Sequence, residues 1–103
     1  MSEQPDEAVR DNPDELRYEL LLDGRVIGEI RYRTHPGAVA LVHTDVEPAY
    51  QGHGYATRLI EAALADLRGR GLQVVPVCPL VAEHIRTHSE WADLVAEDPA
   101  MPE

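Results

Sequence analysis

A chain of 103 residues, 44% of them hydrophobic, has the size of one domain and enough apolar side chain for a real core. Phe is absent and Trp occurs once, so that core must be mostly Leu, Val, Ile and Ala. The formal charge of −10 argues against nonspecific binding to nucleic acid, whose phosphates it repels, and the lone cysteine, Cys78, excludes an internal disulfide or a zinc site built on several thiolates.

In chain order, residues 1–14 combine acids, two prolines and few apolar groups, and read as a disordered or loosely attached acidic arm. Their acidic character does not suit a signal peptide, and no apolar run is long enough to span a bilayer. With the single thiol, this makes a soluble cytoplasmic protein the expectation. The folded domain is expected over residues 15–96, with 97–103 as an acidic tail. Leu16, Tyr18, Leu20 and Leu22 alternate along a first strand, and Asp23-Gly24 marks a hairpin turn. Val26, Gly28, Ile30 and Tyr32 then form one face of a second strand, with Ile27 on the other. The stretch "THPG" at 34–37 is a further turn, and "AVALVHTDV" from Ala38 is a third strand completing an antiparallel meander.

From Gly54 to Arg70 the period changes. Ala56, Leu59, Ile60, Ala63, Leu64 and Leu67 fall at three- and four-residue spacings, one stripe of a helix that Gly69 and Gly71 end. "LQVVPVCP" returns as a strand, "LVAEHIRTH" as a short helix, and "WADLVA" as a last turn that docks Trp91 and Leu94. The predicted order is β-β-β-α-β-α, an α+β class with a mixed sheet and a right-handed crossover to a parallel strand.

"QGHG" at 51–54 joins a strand to a helix start, where amides lack intrahelical partners and the helix dipole is positive. Glycines at 52 and 54 remove the Cβ atoms that would hold a phosphate off those amides and also permit positive φ. Two readings stand side by side: an anion cradle, or a tight turn whose glycines serve geometry alone. A Walker loop is excluded because the chain has no lysine, and the dinucleotide fingerprint lacks its third glycine at Thr57.

Gln51-Gly52-His53-Gly54-Tyr55-Ala56 resembles the acetyl-coenzyme A signature, Gln/Arg-x-x-Gly-x-Gly/Ala, of the GNAT N-acetyltransferase superfamily. With "HTDVEPAYQGHGYATRLIEAAL", "GLQVVPVCPLVAEHIRTH" and "SEWADLV", the chain is similar over residues 16–95 to the small single-domain group called Acetyltransf_CG or YjdJ-type. The resemblance implies a compact GNAT-like fold with acetyl-CoA as cosubstrate and acetyl transfer to a primary amine of unknown identity. The strands around the helix would splay, backbone near Val46 would pair with pantetheine amides, and amides from Gln51 to Thr57 would hold the pyrophosphate. The binding set is thus Val46, Gln51, Gly52, His53, Gly54, Tyr55, Ala56 and Thr57. Small members omit the helices that flank the first strands, which implies an open acceptor floor.

The acetyl thioester would then point toward His43 and Cys78, the two catalytic candidates. Cys78 either attacks the thioester, which demands a lowered thiol pKa, or packs as an inert core thiol. His43 either takes the amine's proton or makes a hydrogen bond across the splayed strands that fixes Cys78 or a loop. Asp45 and Glu47 are second-choice bases, or attract a cationic acceptor. His84 and His88 have a metal-compatible spacing, but no third ligand is evident and no metal is expected. His88 instead caps the helix or lies near the cofactor. Arg58 and Arg86 are either phosphate contacts at the adenosine end or solvated helix positions, and Tyr55 stacks beside the cofactor or joins the core. The alternative function is a noncatalytic module that binds or senses acyl-CoA. The expected partners are an amine acceptor, small molecule or protein, without nucleic acid or membrane, on a monomer or weak homodimer.

Overall fold

A computed structural model of the chain describes residues 6–96. Five strands pair in sequence order: β1 (Glu7–Asn12), β2 (Arg17–Leu22), β3 (Arg25–His35), β4 (Ala38–Val46) and β5 (Gln73–Pro76). The first four are antiparallel. α1 (Tyr55–Gly69) crosses over so that β5 runs parallel to β4, and α2 (Pro79–Thr87) follows β5. Short 3-10 turns occupy Pro48–Tyr50 and Ser89–Leu94. The fold is α+β with a mixed sheet, as the periodicity predicts.

The Asp23-Gly24 hairpin has positive φ at both residues, 51° and 82°, the twist-matched two-residue turn that Asp-Gly favours. Beyond it the sheet departs from simple alternation. Leu20 pairs with Gly28 but Leu21 pairs with Val26, so Ile27 is an extra residue on β3. The bulge carries Ile27 into the core with Ile30 and Tyr32, and leaves Val26 only half-buried. Gly28 is required by close approach: a Cβ there would lie 3.2 Å from the Asp45 carbonyl oxygen and 3.3 Å from Val46 Cγ2. A second bulge follows in β4, where Arg31 pairs with His43 and Tyr32 with Leu41, leaving Val42 over. Val39 and Leu41 face the core before it, and Thr44 and Val46 after it.

The core lies between one sheet face and the two helices. Leu59, Ile60, Ala63, Leu64 and Leu67 of α1 meet Tyr18, Leu20, Ile30, Leu41 and Val74, while Val81, Ile85, Trp91 and Leu94 extend the same cluster. Among the described residues no helix covers the opposite face. There Glu19, only 1% exposed, is covered by its own partners: Arg10 Nε (2.7 Å), Arg17 Nε (2.7 Å) and Asn12 Nδ2 (3.0 Å) all donate to its carboxylate. Arg17 also reaches Glu29 at 2.7 Å, bridging two carboxylates that stand directly opposite each other on β2 and β3. Burial alone would raise the Glu19 pKa, but the three donors outweigh it and hold the carboxyl at about 2.

Residues 7–12 correct the expectation of a loosely attached arm. They pair along their length with β2, and their acids have specific donors rather than water alone. Asp11 accepts from the Tyr32 hydroxyl (2.5 Å) and from Arg70 (2.9 Å), Glu7 accepts from Arg58 (2.8 Å), and Val9 packs on the core. Leu16, assigned above to a strand, is exposed in the β1–β2 turn at φ 53°. The remaining parts of the expected arm and tail, 1–5 and 97–103, lie outside the described residues.

Candidate active site

Pairing of β4 with β5 stops at Leu41 opposite Pro76, but β4 runs on to Val46. Past Pro76 the chain turns away: the Cys78 amide donates to Leu41 O (2.8 Å) and α2 begins at Pro79. Residues 42–46 of β4 therefore keep β3 on one edge and border an opening on the other, where β5 has turned away. Their free edge is a template for backbone hydrogen bonds from an extended ligand.

The opening leads to the α1 N-terminus. Gly52 and Gly54 both have φ of 83°, a left-handed conformation that side chains disfavour. A Cβ on Gly52 would meet nothing within 4 Å, so φ and not crowding selects glycine there. No side chain caps α1, and its first turn carries no acid. The helical ladder starts with the Arg58 amide donating to Gly54 O (3.1 Å), which leaves the amides of Tyr55, Ala56 and Thr57 ahead of it. The result is a set of uncapped donors at the positive end of a dipole.

Val46, Gln51, Gly52, Gly54, Tyr55, Ala56 and Thr57 line one cleft of about 320 Å³ with Thr44, Asp45, Tyr50 and Leu80. His53 is exposed and stands outside that lining, its ring 6.3 Å from Tyr55. Gln51 is engaged differently from the expectation. Its amide donates to Pro48 O (3.3 Å) and its side chain to Val46 O (2.9 Å), so it ties the loop to the end of β4. The Val46 carbonyl is already satisfied by that bond. Tyr55 packs on the core, as one of its two expected roles has it, and also lines the cleft, and the Arg58 guanidinium lies 4.6 Å over its ring.

Cys78 and His43 are not brought together. The second β4 bulge turns Thr44 toward Cys78, with Thr44 Oγ1 at 3.3 Å from Sγ, and His43 is exposed on the opposite, open face of the sheet. Cys78 itself is 3% exposed. Thr44, Tyr50 and Leu80 are cleft-lining positions that sequence pattern missed. Alternation reads odd β4 residues as one face and does not register a one-residue bulge.

α2 is locked onto α1 through Glu61. Its Oε2 accepts from Trp91 Nε1 (2.9 Å) and is hydrogen-bonded to His84 Nε2. Burial would raise the Glu61 pKa, but these bonds and the imidazole charges outweigh it and hold the carboxyl below its usual range. His88 caps α2, with Nδ1 at 2.9 Å from the His84 carbonyl oxygen, and its ring stacks on His84 at 4.0 Å. Arg86 is spent on Glu83 (3.0 Å) at the surface, and Arg58 on Glu7. Among the described residues, no group of three or more His, Cys, Asp or Glu is arranged to hold a metal, and no helix is long and apolar enough to cross a membrane.

A splayed strand pair, a left-handed glycine loop and an uncapped helix end meet in one cleft of an α+β domain. Residues 17–94 match the GCN5-related N-acetyl-transferase family, and the chain belongs to it. A solved GNAT family acetyltransferase from Brucella melitensis, in complex with acetyl-CoA, superposes with a TM-score of 0.51 at 29% identity over 62% of this chain and 49% of its own. A ribosomal-protein-alanine N-acetyltransferase from Brucella melitensis biovar Abortus 2308 superposes at 0.52 with 21% identity, over 84% of this chain and 66% of its own, and supports the fold. This chain thus spans about half the length of the first structure. No curated protein matches the sequence.

Proposed function

We propose that the chain is an acetyl-CoA-dependent N-acetyltransferase acting on a primary amine. The observation that carries this reading is the cleft itself: the free edge of β4 and the amides of Tyr55, Ala56 and Thr57 open into one space. A Cβ on Gly52 would meet nothing within 4 Å and one on Gly54 only the Arg58 guanidinium, so the loop leaves room at the amides as a cradle for a diphosphate requires. The acetyl-CoA complex of the Brucella melitensis relative supports the same ligand for this family member.

In direct transfer the amine nitrogen attacks the thioester carbonyl, the C–N bond forms, the C–S bond breaks and coenzyme A leaves as thiol. The amine must shed a proton, to His43 or to water, and the exposure of His43 on the uncovered sheet face supports its part for an acceptor approaching on that side. A covalent route through acetyl-Cys78 needs the thiol to emerge from its buried contact with Thr44. That burial favours direct transfer. Cys78→Ala is therefore expected to keep kcat within about threefold of wild type, whereas loss of about 100-fold or more would establish the covalent route.

The same burial, with His43 on the other face, also favours a rival: a module that holds acyl-CoA and transfers nothing. Amine-dependent release of free coenzyme A thiol separates the two. Release above background with a panel of primary amines supports the transferase, and binding without release supports the module.

A further inference from the structure

A guanidinium stands against the glycine loop, and a carboxylate from a distant strand already holds it. The lining of the cleft carries one charged side chain, Asp45, and it is negative. The chain has no lysine, so arginine is the permanent side-chain cation it can offer a phosphate. Arg58, in the first turn of α1, is close by: its Nη1 would lie 3.3 Å from a Cβ on Gly54, and its guanidinium covers the Tyr55 ring at 4.6 Å. Yet Arg58 Nε donates to Glu7 Oε2 (2.8 Å), at the start of β1 and outside the cleft. Both side chains are partly exposed, 48% and 31%, so the pair can open without stranding a buried charge. The strand beneath is held without it. The Asp23 amide donates to Asp6 O (2.8 Å), the Asp6 amide to Asp23 Oδ1 (2.9 Å), and Asp11 is bonded to Tyr32 and Arg70.

We propose that Glu7 competes with the coenzyme for Arg58, so that β1 carries a self-inhibitory contact on the cofactor loop. The proposal rests on the reading of acetyl-CoA as cosubstrate. In the free protein the first-turn amides of α1 face the cleft, while the cation beside them is neutralised from outside it. A diphosphate on those amides brings charged oxygens next to Arg58. Arginine meets phosphate oxygens through paired, charge-assisted hydrogen bonds, which outweigh one exposed pairing with a carboxylate. Rotation of the Arg58 side chain carries the guanidinium from Glu7 to the ligand, and water replaces it on the Glu7 carboxylate. The ligand gains only the difference between the two pairings. Glu7 therefore lowers coenzyme affinity from a position that does not line the cleft, and neutralising or withdrawing it strengthens loading.

The test is calorimetric titration of the full chain with acetyl-CoA and with S-acetylpantetheine, which keeps the thioester arm and has no phosphate. Glu7→Gln is expected to bind acetyl-CoA about three- to fivefold more tightly than wild type, the scale of one exposed ion pair. Arg58→Gln should bind it about tenfold more weakly, the scale of a hydrogen bond to a charged group. In that background Glu7→Gln should change the affinity by less than about 1.5-fold, because the competitor has nothing left to hold. Unchanged acetyl-CoA affinity in Glu7→Gln overturns the competition and leaves the cofactor cleft standing. Equal tightening with and without Arg58 also overturns it, since Glu7 would then act by plain repulsion of the ligand. A gain of the same size for S-acetylpantetheine does so too, because no phosphate is there to claim the guanidinium. Failure of wild type to bind acetyl-CoA removes the cofactor reading, and the competition with it.

Discussion

Gly54→Val is expected to weaken acetyl-CoA binding by at least about 100-fold, a loss of roughly 2.7 kcal/mol. Gly54 sits at φ 83° as the N-cap of α1, so any L side chain there is strained, and a β-branched one most of all. A Cβ on it would also stand 3.3 Å from the Arg58 guanidinium. Valine thus either fills the space a diphosphate needs or forces the loop out of its left-handed form and turns the amides away. The matched control is Gly37→Val in the β3–β4 turn, which has φ of 75° and nothing within 4 Å of its Cβ. Both variants should lose about 1–2 kcal/mol of stability from backbone strain, and only Gly54→Val should lose the ligand. Calorimetry beside thermal melts reads both quantities. Retained affinity in Gly54→Val would mean that Gly54 serves the turn alone and that the diphosphate is not held at the α1 amides.

Glu19→Gln is expected to cost about 2–3 kcal/mol at neutral pH, the scale of breaking a buried charge cluster by removing one member. The carboxylate accepts from Arg10, Arg17 and Asn12 at 1% exposure, and glutamine replaces one charged acceptor oxygen by a donor that faces donors. The pH dependence has a definite sign. The folded-state pKa of about 2 lies below the ordinary value of 4.5, so the carboxylate's contribution is complete above the unfolded pKa and is lost as pH falls toward 2. Urea unfolding of both proteins between pH 7 and pH 3 should therefore show the gap narrowing with acid. A gap that stays constant over that range would mean the cost comes from packing and not from charge.

The open sheet face explains why that cluster matters. An uncovered sheet exposes backbone and apolar side chains unless something shields them, and here a lattice of Arg10, Arg17, Glu19, Glu29 and Arg31 takes the place of a helical layer. It also leaves the His43 side of β4 open, which is where the proposed acceptor approaches.

Local pattern in the sequence determined the element order from β2 onward, the α1 stripe, the Asp23-Gly24 hairpin and the glycine loop. Each depends on contacts within a few residues: a 3.6-residue period, a turn that needs positive φ, a strand that ends where glycines begin. Most of the cleft lining around Gln51–Thr57 was legible for the same reason, and the family resemblance rests on those residues.

Only the tertiary structure decided the rest. The bulges at Ile27 and Val42 arise from how neighbouring strands match in length and twist, and each reverses which side chains face inward. That reversal sets Thr44 against Cys78 and sends His43 to the other face. The acids of β1 look like solvated charge in the sequence because their donors, Tyr32, Arg58 and Arg70, come from elements up to 59 residues away. Glu19 is buried for a similar reason: its arginines converge from two strands, which composition counts but does not place.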